Sequence, residues 1–224
     1  MKPSVKGWLT VLGGFLIHLV LGTLYCWANL TSAVTSYLRF TNINKIFYTY
    51  NDTILIFAAA LASQGMTIFI GGLLGQIIGA RLTCMLGGYI LVFGTYLSAL
   101  CTSLDYFIIC DGFMFGIGLG LCYTSPISCA VRWMPKRKGL VTGIIVGGFG
   151  CGAFVFGQLA IHLLNPNRES VMHSGPYAKY FEPNSPVIQR VPYMFVMLSL
   201  VYFILITIGS LLLFEPPDII DDEG

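Results

Sequence analysis

The sequence predicts an all-α integral membrane protein built as a bundle of six transmembrane helices. Three observations carry this. Hydrophobic residues make up 56% of the 224 residues and charged ones only 10%. The mean hydropathy is +0.79. The apolar residues come in six long, almost uncharged runs, at residues 8–29, 54–78, 82–104, 107–131, 139–164 and 191–214. A helix rises about 1.5 Å per residue, so roughly 20 residues cross a hydrocarbon core about 30 Å thick. Only helices and closed barrels satisfy their backbone hydrogen bonds in lipid, and these runs are far too long for barrel strands.

Each run has its own features. The first is too long for a signal-peptide core, and no small-residue cleavage site follows it. Two longer polar loops follow the first and fifth runs. The second and third are separated by "GLLGQIIGAR", residues 72–81, a short glycine-rich break. In the fourth, Gly112, Gly116 and Gly120 recur every four residues and share a helical face; in the fifth, Gly139, Gly143 and Gly147 do the same. Such faces let helices approach closely. Gly148, Gly150 and Gly152 extend the thin surface of the fifth. The sixth run ends at "FEPPDIIDDEG". Residues 1–217 thus read as one six-span unit and 218–224 as an acidic tail or the start of a cytoplasmic loop.

Between the fourth and fifth runs lies "RWMPKRKGLVTG", residues 132–143, with four cations in seven positions. Orientation accounts for it. An even number of spans puts both termini on one side, with Lys2, Lys6, Arg81, Arg132, Lys136, Arg137 and Lys138. The opposite side has Arg39, Lys45, Arg168, Lys179 and Arg190, spread over the two longer loops. Lys and Arg near span ends favour the cytoplasmic face, so both termini are expected inside. Pro135 and Gly139 indicate a tight break between two helices. Trp133 and Met134 are left unexplained by charge.

Several functions are excluded by what the chain lacks. A net charge of +2 implies no nucleic-acid partner. Metal-ligand spacing, a phosphate-cradling loop and a nucleophile elbow are missing, so no cofactor, metal or enzymatic activity is expected. The seven cysteines lie in or at the edges of the runs and read as small packing residues. "NDT" at Asn51 is a glycosylation sequon on the outer side; "NLT" at Asn29 is too close to the membrane. Asp111 is the only carboxylate inside a run, which makes it a candidate proton site. It follows Asp105 by little more than a turn, where solvent at the outer interface would also accommodate it. His18 and His162 are single imidazoles that a neighbouring carbonyl could satisfy.

The block "GIGLGLCYTSPISCAVRWMPKRKGLVTGIIVGGFGCGAF", residues 116–154, strongly resembles the fourth and fifth helices of the oxalate–formate antiporter and monocarboxylate transporter branch of the major facilitator superfamily. That branch has Arg/Lys-Trp-Phe-Pro-x-Lys/Arg-Arg/Lys-Gly-Leu-Ala-x-Gly at this turn. Arg132, Trp133, Pro135, Arg137, Lys138, Gly139, Leu140 and Gly143 fall on the pattern, with Met134 for Phe and Val141 for Ala. "GTLYCWANL", residues 22–30, is similar to the family's first helix. Residues 72–81 lie where the superfamily has Gly-x-x-x-Asp-Arg/Lys-x-Gly-x-Arg. The match runs from about residue 8 to 217.

The resemblance implies a twelve-span carrier in two parallel halves, moving a small organic anion by alternating access with substrate at midplane between them. This chain is similar to the N-terminal half, so a second six-span half is implied: its own C-terminal half, a second copy, or another subunit. A remnant serving as a structural subunit without transport is the alternative. By alignment, Tyr25, Trp27, Gln64, Tyr123 and Phe149 match positions facing the central cavity, where aromatic walls exclude water and polar tips orient an anion. Gly72, Gln76, Gly79, Arg81 and Arg132 match the gating loop. Gln76 stands where the family has an acid that latches the halves. It keeps hydrogen-bonding capacity but loses a charge term of about 0.3–1 kcal/mol at a helix end. The family's substrate-binding cations lie in the other half, and no Lys or Arg lies inside a run here.

Overall fold

A computed structural model describes residues 3–42, 46–172 and 179–216, with backbone only for Pro3 and Ser4. Lys2, Lys45, Pro176 and the tail 218–224 lie outside the described residues. Six helices long and apolar enough to cross a membrane fall on the six predicted runs: Val5–Thr41, Tyr50–Ile77, Ala80–Ser98, Leu104–Trp133, Pro135–Leu164 and Pro186–Leu211. They are called the first to sixth spans below.

Most helices outrun their apolar segments, because polar residues that cap or continue a helix carry no apolar signal. The second begins at Tyr50, where the Thr49 backbone N–H donates to Asp52 Oδ2 at 2.8 Å. The sixth begins at Pro186, whose missing N–H costs nothing in a first turn, and Ser185 Oγ accepts from Val187 N at 3.2 Å. The first continues to Thr41, well past residue 29. It tightens into a 3-10 stretch at Gly22–Cys26. The fourth opens into a π-turn at Ile108–Met114. The second and third spans are joined through Gly79, whose φ of +86° lies in the region that favours glycine.

The spans pack in a pattern unchanged by exchanging the first with the fourth, the second with the fifth and the third with the sixth. The first packs on the fourth, fifth and sixth; the fourth packs on the first, second and third; the third also meets the sixth. The pairing follows the symmetry of two three-helix repeats. The first and fourth spans are consequently the most enclosed, and the second and fifth the least.

Glycine makes these crossings possible. A Cβ at Gly152 would lie 1.9 Å from the Leu19 carbonyl oxygen, and one at Gly22 would lie 1.9 Å from that of Phe149. Across the related pair, a Cβ at Gly116 would lie 2.3 Å from the Ala60 carbonyl oxygen and one at Gly120 would lie 2.7 Å from that of Gln64. The expected fourth-span glycine face is therefore a packing surface. The fifth-span set differs from expectation. A Cβ at Gly139, Gly143, Gly147 or Gly150 would meet no neighbouring helix within 4 Å among the described residues, and packing falls to Gly148 and Gly152 instead.

A paired substitution separates the two kinds of glycine. Gly152→Ala must displace backbone, and overpacking of this kind costs about 1–3 kcal/mol. Gly143→Ala adds a methyl into open space and gains the roughly 0.5–1 kcal/mol by which alanine favours a helix interior. Thermal unfolding in detergent should show Gly152→Ala lowered by several degrees and Gly143→Ala unchanged or raised.

Candidate functional site

Two constellations occupy the bundle, one aromatic and one at the end where the second and third spans join.

The aromatic one is a chain of rings drawn from four spans. His18 of the first span lies 5.2 Å from the Tyr123 ring of the fourth. Tyr123 meets Phe149 of the fifth edge-on at 5.8 Å. Phe149 meets Tyr25 of the first edge-on at 5.7 Å, and Tyr25 meets Phe57 of the second at 6.3 Å. Edge-to-face pairs of this kind contribute about 0.5–1.5 kcal/mol each beyond burial. His18 has no exposed surface. Its Nδ1 lies 3.0 Å from the Gly14 carbonyl oxygen, the neighbouring carbonyl that its sequence context called for. Tyr25 is 55% exposed and Tyr123 and Phe149 partly so, so the chain emerges from the core onto an uncovered face. Towards the loop after the first span, Tyr25 and Phe57 continue into a groove of about 350 Å³ with Thr31, Tyr50 and Asn51.

Three of the five residues expected to line a cavity, Tyr25, Tyr123 and Phe149, are thus brought together. Gln64 is half-buried on the second span and is not part of the ring chain. Trp27 lines both that groove and a second cavity behind it. It is 9% exposed and its Nε1 is buried without a hydrogen-bond partner. Residues two apart on a helix look in opposite directions, so a helix that presents Tyr25 outward turns Trp27 in. His162 is exposed near the end of the fifth span. Asn51 is exposed, but its sequon is helical. The Thr53 hydroxyl is fully buried, 2.7 Å from that of Thr35.

Asp111 is partly exposed. The π-turn directs it into an internal cavity to which all six spans contribute, alongside Trp27 and Tyr202.

The second constellation contains the gating-loop residues, and its organiser is Glu215, which the sequence reading passed over. Glu215 Oε1 accepts from the Ala80 backbone N–H at 2.6 Å, and its Oε2 pairs with Arg132 Nη2 at 2.7 Å. Reciprocally, Arg81 donates from Nε to the Leu213 carbonyl at 3.2 Å and from Nη2 to that of Leu211 at 3.1 Å. An anion thus closes the N-terminus of the third span and a cation the C-terminus of the sixth, each favoured by the helix dipole. Trp133, unexplained by charge, donates from Nε1 to the Phe214 carbonyl at 2.7 Å. Gln76 is exposed on the last turn of the second span. Gly72 and Gly75 let that turn approach Thr124 and Ser125. The carboxylate at this end of the third span is that of Glu215. The one signal for it was a lone acid directly after an apolar run.

The sequence profile of the Major Facilitator Superfamily matches residues 10–221. The chain belongs to that superfamily. It lies in its monocarboxylate-transporter-like part and covers an N-terminal half. It is 32% identical to apicoplast pyruvate carrier 1 of Toxoplasma gondii, over 94% of this chain and 46% of the carrier. Against monocarboxylate transporter 12-B of Danio rerio the identity is 29%, over 66% of this chain and 30% of the transporter. Against human monocarboxylate transporter 14 it is 27%, over 72% and 31%. The chain therefore spans half or less of the length of the curated relatives it matches.

The Glu215 cluster makes a quantitative expectation. Both partners of the ion pair are about half exposed, which limits it to roughly 0–1 kcal/mol. The cap at Ala80 adds about 1 kcal/mol. Glu215→Ala should therefore cost roughly 1–2 kcal/mol and Arg132→Ala less. Their double substitution should cost no more than Glu215→Ala alone. Denaturant titration in mixed micelles measures all three, and strict additivity would show the pair to be uncoupled.

Proposed function

We propose that the chain is the N-terminal half of a carrier that moves a small organic anion, a monocarboxylate or dicarboxylate, across a membrane by alternating access. The observation that carries this reading is the ring chain Tyr123–Phe149–Tyr25, assembled from three spans and emerging on a face the bundle leaves uncovered. Aromatic edges exclude water while phenolic hydroxyls hydrogen-bond an anion, the mixture expected of a small-molecule site. The names of the relatives, pyruvate and monocarboxylate carriers, support the substrate class. Polar tips facing hydrocarbon are costly unless paired. A second six-span unit is expected to cover this face and to bring the cation that balances the substrate. The protein is multi-pass and membrane-integral, and we place the end carrying Arg81, Arg132, Lys136, Arg137 and Lys138 in the cytoplasm.

Reconstitution tests the reading. Pyruvate uptake into proteoliposomes should require both this chain and a complementary six-span unit. Losing a hydrogen bond to a charged group costs about 1.5–3 kcal/mol, or roughly 10- to 100-fold. Tyr25→Phe and Tyr123→Phe should each lower uptake in that range while leaving unfolding temperature unchanged. Uptake by a strict monomer of this chain would defeat the proposal, since one bundle has nothing to rock against.

Orientation is tested separately. Reporters fused after Gly224 and inserted into the loop at 165–190 should label opposite sides of the membrane. Replacing Lys136, Arg137 and Lys138 with Gln should increase the inverted fraction.

A further inference from the structure

A groove of about 490 Å³ opens at the end of the bundle where the first span begins and the fourth gives way to the fifth. Gly7 and Trp8 form one side, and Trp133, Met134, Lys136 and Arg137 the other. The buried Gly7 lets the two sides meet at the base: a Cβ there would lie 3.3 Å from Trp133 Cβ and 3.7 Å from Met134 Cε. The Trp133 indole N–H is committed to the Phe214 carbonyl at 2.7 Å, so towards the groove that ring offers only apolar surface. Trp8 is exposed, as are Val5 and Leu12 on the same helical face and Leu140 in the first turn of the helix that follows Arg137. The walls are apolar and continue along the spans.

The rim has the opposite character. Lys136, Arg137 and Lys138 are exposed, and among the described residues none of them pairs with a carboxylate. The helix beginning at Lys138 has no side-chain cap and no acid in its first turn, and the first turn of the first span has no acid either. Two helix N-termini, with their unsatisfied N–H groups and positive dipole ends, therefore lie at the same rim as the cations. Among the described residues the only acid at this end is Glu215, already taken up by Ala80 and Arg132. An anion is called for, and one with an apolar body. A free inorganic anion would leave Trp8 and Met134 wetted, and a lipid without net charge would gain little from the rim. Ends of spans lie at the headgroup layer, where an anionic lipid presents both parts.

We propose that this groove seats one anionic phospholipid, its phosphate on Lys136 and Arg137 and the upper part of an acyl chain against Trp8 and Met134. The seat lies at the opposite end of the first span from Tyr25, and it does not depend on the chain moving an organic anion.

Tryptophan fluorescence of the full chain in mixed micelles tests this, with lipids brominated in the acyl chain as contact quenchers. Each basic residue near an anionic headgroup contributes about fivefold, so phosphatidylglycerol should quench at roughly tenfold lower mole fraction than phosphatidylcholine. Trp8→Phe should lose most of the saturable quenching. The double variant Lys136→Gln/Arg137→Gln should abolish the preference. Lys6→Gln/Lys138→Gln, matched in charge but outside the groove lining, should keep it. Equal losses in the two double variants would reduce the effect to general surface charge and overturn the seat. Displacement of the lipid by millimolar inorganic phosphate would also overturn it, in favour of a free-anion site. Truncation after Pro217 should leave quenching unchanged; quenching that appears only after truncation would give the groove to the acidic tail instead. Loss of quenching on adding a complementary six-span unit would give it to that unit, and either result defeats the proposal. Should a variant fail to fold, the wild type decides alone, since equal quenching by the two lipids overturns the seat.

Discussion

Backbone touching backbone at glycine is the contact on which this bundle depends. Lipid tails are as apolar as leucine, so no hydrophobic force pulls helices together in a membrane, and close van der Waals contact must do it. Gly22 and Gly152 meet carbonyl groups across the crossing of the first and fifth spans. Gly116 and Gly120 do so across the second and fourth. The two crossings are equivalent under the repeat symmetry. Because the first and fourth spans are drawn in so tightly, side chains such as Tyr25, Tyr123 and Phe149 come within ring-contact distance without long linkers. The aromatic face is a by-product of the glycine crossings.

The end cluster is a different sort of constraint. Its strength comes from helix ends, where unsatisfied N–H and C=O groups await partners. Arg81 and Glu215 exchange roles across the third and sixth spans, each attending to the other helix's terminus. The two spans belong to different three-helix repeats, so the exchange ties the repeats together at one end. It is also self-contained within the described residues. The exchange closes both helix ends with groups that this chain itself carries.

The six spans were legible because membrane insertion is a demand on composition, and composition survives without knowing any contact. Tyr25, Tyr123 and Phe149 were reached through family resemblance, and their meeting needed the helix crossings. The placement of Trp27 inside could have been read from its two-residue offset from Tyr25. The open face of Gly139, Gly143 and Gly147 could not, since spacing says which residues share a face and not what that face meets. Glu215 was hidden because its partners lie 83 and 135 residues away, and a single acid after an apolar run looks like the start of a tail. Asp111 was visible as a residue but not as part of a cavity, because the π-turn that aims it leaves no mark in composition.

That π-turn also sets the phase of the fourth span. Each residue of an α-helix advances the chain by about 100°, so one surplus residue taken up in a wider turn is a rotation of that size. Beyond it, Gly116 and Gly120 face the second span while Gly118 faces the third. Before it, Phe107 is fully buried. Both stretches are in register with their neighbours only because the surplus is absorbed between them. The fourth span therefore works as two short screws joined by a slipped thread. Removing one residue from the join would leave either end seated only by unseating the other.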